Sequence, residues 1–262
     1  MIRPGIIPLL LILFMALPSC ETAPEEEIRC YPQKVTRKIA DGTIITEIIA
    51  DYRYEGDRLD YIIMSNFQTH YYSYNENGRL ESVSRKQVKE FRTLLSKLTY
   101  DGGLVSKCDE YLVRLDPVTQ EAIDTTLQGY REFFYDGDRL TGENEYRMNE
   151  DTREMELVTE KTYTLDANGN ILEYLELDGM TGDTLAAGTY TYDSQHHPFS
   201  DLELLFEGGS HENNILRHTD HLSGDEYVHQ IVYTKAMYPE QVIIRRNGNF
   251  NSEVISYTYA CR

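Results

Sequence analysis

Tryptophan is absent from the 262 residues, and there are only four cysteines and eight prolines. Basic residues are also scarce, because 25 Lys and Arg stand against 44 Asp and Glu, which gives a formal net charge of −19. This charge argues against a basic surface that would neutralise nucleic-acid phosphates or dock on anionic lipid. Hydrophobic residues still make up 40% of the chain, which excludes a wholly disordered protein. The 21 tyrosines favour β-structure, where half-buried aromatic side chains fit the pleat.

The N-terminus has the features of a secretion signal. Arg3 precedes the apolar stretch 6–17, which is short for a membrane span. The stretch ends in Leu17-Pro18-Ser19-Cys20, which resembles a bacterial lipobox. That resemblance implies a lipoprotein signal peptide over residues 1–19 and lipidation of Cys20. An ordinary cleaved signal or an uncleaved anchor is the alternative.

Residues 20–29 are predicted to be the lipidated cysteine and an acidic tether. The segment 21–27 contains four glutamates and a proline and is typical of a solvated spacer. It also resembles the acidic signals that follow the lipidated cysteine in surface-exported lipoproteins of Bacteroidetes, so export and a simple spacer both stand as interpretations. Residues 30–262 are predicted to form a single β-domain with the lipid as its anchor.

Three cysteines follow the lipobox, and the oxidising compartment permits a disulfide. Three is an odd number, so at least one thiol must stay free or pair elsewhere. Cys30 and Cys261 bracket the predicted domain and are the candidate disulfide, which would tie the first strand to the last and contribute on the order of 4 kcal/mol. Cys108 lies in the strand-like stretch 104–113 and is predicted to be a buried thiol.

One short motif recurs along the body of the chain. It consists of an aromatic residue, any residue, a second aromatic, an Asp-like residue, a turn with Gly or Asp, and an aliphatic residue. Two aromatics at a spacing of two share one face of a strand, and Asp, Asn and Gly close tight turns. The motif therefore predicts a β-hairpin. Its copies begin at Tyr52, Tyr72, Phe133 and Tyr163, with weaker copies at Leu98 and Tyr190.

A second turn type alternates with this motif in the segments 116–121, 149–154 and 178–183. Two turn types at alternate ends predict an all-β, antiparallel up-and-down meander of long hairpins, with strands of about ten residues. The meander is expected to form a large sheet or a partly closed barrel.

Two stretches fit this pattern poorly. Residues 210–230 show no clear turn and are expected to form a longer excursion between turns near 208–209 and 247–249. Residues 84–98 have apolar residues at helical spacing, and Ser84 with Gln87 resembles a capping box. The register of the repeat favours a strand there, which is our prediction, with a helix as the alternative.

The Tyr-x-Tyr-Asp-x-x-Gly-Arg-Leu units resemble the YD repeats of large bacterial surface proteins. Together with the lipobox and the chain length, they more closely resemble Bacteroidetes outer-membrane lipoproteins that carry a domain of unknown function with a porin-like fold. The resemblance covers about residues 30–262 and implies a large antiparallel sheet, closed or nearly closed. It implies no known activity and supplies no catalytic residues.

Histidines and acidic loops are the first candidates for chemistry. His211, His218, His221 and His229 fall within nineteen residues, but two of them would lie on opposite faces of a strand. We therefore predict surface histidines in a polar loop and no metal site. The segment 166–170 begins like a calcium loop but lacks the later Gly and Glu, so it is predicted to be a hairpin turn.

Catalytic motifs are missing as well. No Gly-x-Ser-x-Gly, P-loop or dinucleotide fingerprint is present, so no catalytic residue and no cofactor is predicted. Among 44 acidic residues chance carboxylate pairs are inevitable, which leaves a glycan or peptide hydrolase as an unsupported alternative. Tyrosines can form a ligand surface, but their period-two placement beside turns favours a role in stabilising the sheet.

The sequence thus predicts a non-catalytic protein anchored by lipid in the outer membrane, either exposed at the cell surface or facing the periplasm. We expect a binding or interaction module for a protein or glycan, and no nucleic-acid partner. The alternative is a structural envelope protein with no small ligand. A membrane pore is not expected, because strands such as 139–145 and 154–161 put charge on both faces or offer few apolar residues.

Overall fold

The computed structural model describes residues 29–41, 44–87, 90–199, 211–247 and 252–261. Sixteen antiparallel strands in this part of the chain form one closed barrel, in which consecutive strands are neighbours and β1 pairs with β16. The prediction of an all-β up-and-down meander is confirmed, and closure, which the sequence left open, is complete. The described residues form no helix that is long and apolar enough to span a membrane.

The strands contain from 7 to 15 residues. In chain order they are β1 (Cys30–Asp41), β2 (Ile44–Glu55), β3 (Arg58–Met64), β4 (Gln68–Tyr74), β5 (Leu80–Gln87), β6 (Arg92–Asp101), β7 (Leu104–Leu115), β8 (Ala122–Asp136), β9 (Arg139–Met148), β10 (Met155–Leu165), β11 (Ile171–Asp178), β12 (Thr184–His196), β13 (Asn213–Asp220), β14 (Glu226–Tyr233), β15 (Pro239–Arg246) and β16 (Ser252–Cys261).

Two predictions about individual segments have different outcomes. The stretch 84–98 lies in β5 and β6, so the prediction of strand over helix is confirmed. The long excursion expected at 210–230 is wrong for the described residues, because β13 and β14 are joined by a tight turn. The carboxylate of Asp220 closes that turn by accepting the backbone N–H groups of Leu222 and Ser223. The turn expected near 208–209, the signal peptide 1–19 and Cys20 lie outside the described residues.

Register and burial identify the inner face of the barrel wall. Residues opposite each other on paired strands share a face, since side chains alternate along a strand. Tyr72 and Val83 are such partners, and they are 5% and 0% exposed. Cys108, a free thiol with 0% exposure, lies opposite Leu98 on the same face, which confirms the prediction of a buried thiol. Two apolar clusters on this face centre on Leu59, Ile62, Tyr72, Leu80 and Val83, and on Val105, Cys108, Phe133 and Leu140.

The two turn types occupy opposite ends of the barrel, as predicted. The turns that follow the repeat lie at one end together with Cys30 and Cys261, and this end is called the tyrosine end. The other end, called the far end, carries the second turn type. There Asp116, Asn149, Asp178 and Asp220 each accept backbone N–H groups two and three residues further along the chain.

A β-bulge follows the aliphatic residue of the repeat. In the β4–β5 hairpin, Ser73 pairs with Ser82 and Tyr74 pairs with Leu80, so Glu81 has no partner in register. The same one-residue shift recurs in the hairpins β2–β3, β6–β7, β8–β9, β10–β11 and β14–β15. The bulge increases the local twist of the strand pair at the tyrosine end.

The seam between β16 and β1 repeats this hairpin pattern without a turn. Tyr259 pairs with Pro32 and Thr258 pairs with Lys34, so Gln33 is the extra residue. Cys261 lies opposite Cys30, their Cα atoms are 4.0 Å apart, and their sulfur atoms are joined in a disulfide. The bridge therefore stands where the other hairpins have a turn.

Candidate functional site

Tyrosine hydroxyls connect successive hairpins at the tyrosine end. Each donor is the second aromatic of a repeat copy, or its counterpart on β16, and each acceptor is the backbone carbonyl of an apolar residue at the start of a strand in the preceding hairpin. We call this set the tyrosine ladder. Its five bonds run from Tyr74 to Leu59 (2.9 Å), Tyr100 to Leu80 (2.7 Å), Tyr135 to Val105 (2.9 Å), Tyr192 to Ile171 (2.6 Å) and Tyr259 to Pro239 (2.7 Å).

Arginines of the repeat cover the rings of the ladder. The Arg58 guanidinium lies 5.5 Å from the ring centre of Tyr74, and that of Arg79 lies 5.5 Å from the ring centre of Tyr100. A side chain at Gly78 would collide with the Arg58 guanidinium, and the φ of +82° at this glycine is also unfavourable for other residues. The glycine and the arginine of the repeat are thus explained by a turn and by a cation–π contact. This arrangement supports the structural role of the repeat tyrosines.

A charged cluster lies on the inner wall of β7–β11. Arg147 contacts Glu110 at 2.7 Å and Glu145 at 2.6 Å, and Lys161 contacts Glu143 at 3.0 Å. Every carboxylate of the cluster has a cation within 4.0 Å, so none is an unpaired acid or base. The members are Glu110, Arg131, Glu143, Glu145, Arg147, Lys161 and Glu176.

This cluster was not predicted from the sequence. The signal was the alternation of Glu143, Glu145 and Arg147 at a spacing of two along one strand. It was hidden because the face that points inward was not known. The strand register shows which side chains share the inner face. Glu143 lies opposite the buried Phe133 on β8 and opposite Lys161 on β10.

The prediction of surface histidines in a polar loop is wrong for His218 and His229, which lie on β13 and β14, and for His211, which is partly buried against Tyr192. The His218 ring stacks between Tyr190 at 4.6 Å and Tyr227 at 5.5 Å on the neighbouring strands. The reason is that 213–233 forms two strands and a tight turn, and the strand period of two turns His218 and His229 inward. His221 lies in the exposed turn, as predicted.

Burial controls the protonation of the inward histidines. Desolvation lowers the pKa of His197, His211 and His229 to about 4, and the neighbouring His211 lowers the pKa of His197 further. The Tyr192 hydroxyl donates its single proton to the Ile171 carbonyl, so His211 Nδ1, which is 2.8 Å away, is the donor of the second bond. His211 is therefore held as the neutral Nδ1–H tautomer.

Metal-binding geometry is not found in the described ranges, where no three His, Cys, Asp or Glu side chains are placed to hold an ion. Asp166 instead accepts the backbone N–H groups of Asn168 and Asn170 and the amide of the Asn170 side chain. The prediction of a hairpin turn at 166–170 is confirmed. Asp193 plays the same part in the next copy, where it accepts the Gln195 N–H and the side chain of the buried Asn214.

Phe199 crosses the barrel interior. It follows β12, yet its ring centre lies 5.5 Å from that of Tyr52 on β2 and 6.4 Å from that of Tyr257 on β16. β16 and β2 are four and six positions from β12 in the barrel order, so these contacts join parts of the inner wall that are not neighbours. Phe199 therefore occupies part of the interior at this level.

Comparisons with known proteins identify the fold. No protein-family model and no curated protein matches the chain. A porin-like protein from Bacteroides vulgatus is 12% identical, with 88% of this chain and 99% of that chain covered and a TM-score of 0.52. A porin-like protein from Bacteroides uniformis is 14% identical, with 87% and 98% covered and a TM-score of 0.31. Sequence identity this low shows a shared fold and nothing more. Of the two proteins, the one from Bacteroides vulgatus, with the higher TM-score, supports that conclusion. That similarity supports the porin-like part of the predicted resemblance, whereas the lipoprotein and repeat-family parts stay predictions.

Proposed function

We propose that this chain is a non-catalytic, lipid-anchored envelope protein whose barrel serves as a binding or interaction module. The observation that carries the proposal is what the interior contains. Phe199, which follows β12, packs against Tyr52 on β2 and Tyr257 on β16, and every carboxylate of the charged cluster has a cationic partner. Such an interior favours neither an aqueous channel nor a site for acid–base catalysis.

The outer face supports a barrel that lies outside the bilayer. Lys38 pairs with Glu47 at 3.2 Å, and Lys107 pairs with Asp109 at 2.9 Å, on strand positions that face away from the interior. Membrane barrels present a continuous apolar band to lipid, and these charges interrupt such a band. The fold shared with a porin-like protein from Bacteroides fits an envelope location.

The position of β1 suggests how the barrel would be oriented. Cys30 starts β1 at the tyrosine end, so a lipid on Cys20 would hold that end near the membrane and point the far end away from it. Apolar side chains project from the far end. Val118 is 86% exposed, Met180 76% and Phe67 70%. They lie on three separate turns, β3–β4, β7–β8 and β11–β12, and are the points at which a protein partner would contact the far end.

Replacing the lipidation cysteine tests the anchor. Wild-type protein is expected in the membrane fraction and to need detergent for extraction, whereas Cys20→Ser is expected to yield folded protein without detergent. Cys108→Ser is the matched control and should stay with the membrane. Fractionation, circular dichroism and mass spectrometry of the N-terminus are the measurements. Detergent dependence of folded Cys20→Ser would refute the proposal that the barrel lies outside the bilayer.

The alternative, a structural envelope protein, differs from an interaction module in that its far end has no defined protein partner. If the barrel is an interaction module, a photo-crosslinker at position 118 is expected to capture one defined protein on intact cells, and Met180→Glu is expected to reduce the yield several-fold. A crosslinker at Val232, exposed on the outer face of β14, is the control and should capture little. Equal, diffuse labelling from both positions would favour the structural envelope protein.

A further inference from the structure

One position of the tyrosine ladder has no tyrosine. The β10 copy of the repeat reads Tyr163-Thr164-Leu165, so a leucine stands where the other copies place the hydroxyl donor. The carbonyl that corresponds to the usual acceptor belongs to Leu140, because Leu140 occupies the same bulged position as Leu59 and Leu80. Among the described residues no side chain donates a hydrogen bond to it. The ladder therefore has a gap between β9 and β10.

The arginine above the gap also lacks its ring. Arg139 holds the repeat position of Arg58 and Arg79, which lie over Tyr74 and Tyr100. With leucine at position 165, the Arg139 guanidinium instead donates to the Ala167 carbonyl at 3.2 Å.

A cavity of about 280 Å³ lies at this gap. Its apolar wall includes Leu140, Leu165 and Ile171, and Arg139 also lines it. It thus contains the acceptor residue, the arginine and the leucine that replaces the tyrosine. Two carboxylates, those of Asp138 and Glu212, also line the cavity.

We propose that this cavity binds a phenol group in the place of the missing tyrosine. The ring lies beneath the Arg139 guanidinium, and the hydroxyl donates to the Leu140 carbonyl, as the five tyrosines of the ladder do elsewhere. A free small phenol and the tyrosine side chain of a peptide share this chemistry. The inference goes beyond the proposed function and concerns the tyrosine end, so its failure would leave the lipid anchor and the far-end partner unaffected.

The charges at the cavity predict a preference among phenols. Asp138 and Glu212 line the cavity and repel an anionic substituent, and the Arg139 guanidinium already donates to the Ala167 carbonyl. Neutral and cationic phenols are therefore expected to bind more tightly than 4-hydroxyphenylacetate. A general anion site would instead bind 4-hydroxyphenylacetate more tightly than the neutral and cationic phenols, so this ranking of affinities distinguishes the two kinds of site.

Titration of the folded protein with 4-ethylphenol, followed by NMR, tests the proposal. One saturable site with a Kd on the order of millimolar is expected for so small a ligand. Ethylbenzene, which lacks the hydroxyl, should bind at least about 5-fold more weakly. The peptide Gly-Tyr-Gly is compared with Gly-Phe-Gly, and binding of the first alone would identify a tyrosine side chain as a competent source.

Substitutions at the gap locate the site. Leu165→Tyr and Leu165→Phe are each expected to abolish binding, because an internal ring takes the space. Leu165→Tyr should also raise Tm by about 2–4 °C through the added ladder bond. Leu175→Phe, on the outer face of the adjacent β11, is the matched control and should bind as the wild type does.

A gain of function completes the test. Tyr100→Leu opens an equivalent gap beneath Arg79, so its stoichiometry is expected to rise from one phenol to two. Unsaturable binding, or binding that survives both Leu165→Tyr and Leu165→Phe, would overturn the proposal. So would a folded Tyr100→Leu protein that still binds a single phenol.

Discussion

The double variant Cys30→Ser/Cys261→Ser is expected to lose between about 4 and 5 kcal/mol of the free energy of unfolding. The bridge joins residues 231 apart in sequence, so its removal releases nearly the whole domain from one loop in the unfolded state. In the other hairpins a turn joins the two strands. At the seam between β1 and β16 the disulfide takes the place of that turn, and the double variant lacks it. Urea denaturation monitored by circular dichroism gives the difference, and hydrogen exchange should show the largest loss of protection in β1 and β16.

Reduction provides the control for this effect. Wild-type protein treated with a reductant is expected to unfold at the midpoint of the double variant, and the variant itself should not respond to the reductant. Cys108 remains in both proteins and is buried, so it does not account for a difference. Identical midpoints for oxidised wild type and double variant would show that pairing between β1 and β16 holds the seam without the bridge.

Acidification from pH 7 to pH 4 is expected to unfold the barrel. The pKa of His197, His211 and His229 is lowered from 6.5 to about 4 by burial, so the unfolded chain binds more protons than the folded one between these values. Stability therefore falls as the pH drops through this window, by up to about 3 kcal/mol for each histidine, and levels off below the folded pKa. Chemical denaturation at a series of pH values measures the slope.

Glutamine variants separate the histidines from the carboxylates. The triple variant His197→Gln/His211→Gln/His229→Gln is expected to lose most of the slope between pH 6.5 and 4. His221→Gln, in the exposed turn, should keep it. Turn aspartates such as Asp116 and Asp178 have a pKa lowered by backbone hydrogen bonds, so their contribution is lost only below the usual value of 3.8. An unchanged slope in the triple variant would show that other groups control acid unfolding.

Local sequence was enough to predict the hairpins and the ends at which their turns lie. Two aromatics at a spacing of two fix a strand face, and the Asp and Gly residues after them fix a turn. The turn at 220–225 was missed although Asp220, Ser223, Gly224 and Asp225 match the segment 178–183. Its residues were read as a histidine cluster, and the recurring Asp-x-x-Ser/Thr-Gly-Asp pattern was the signal that would have identified it.

The candidate sites could not be predicted from short segments, because they depend on strand register and on contacts between distant strands. The charged cluster needs the knowledge that Glu143 and Arg131 point inward, and one step of register would reverse that direction. The gap at Leu165 is visible only beside the ladder, because a single Tyr-to-Leu change in a weak repeat has no meaning until the acceptor at Leu140 is known. Phe199 reaches Tyr52 across the interior, a contact between distant strands.

The sequence by itself determined the strand and turn pattern, the two-ended arrangement of the turns and the candidate pairing of Cys30 with Cys261, since these follow from residue spacing and backbone preference. Only the tertiary structure decided that sixteen strands close into a barrel, which face is inside and where the ladder is incomplete. The physical reason is that closure brings β1 beside β16 and inward side chains beside distant partners. Those contacts arise from packing across the barrel, and local conformational preferences do not specify them.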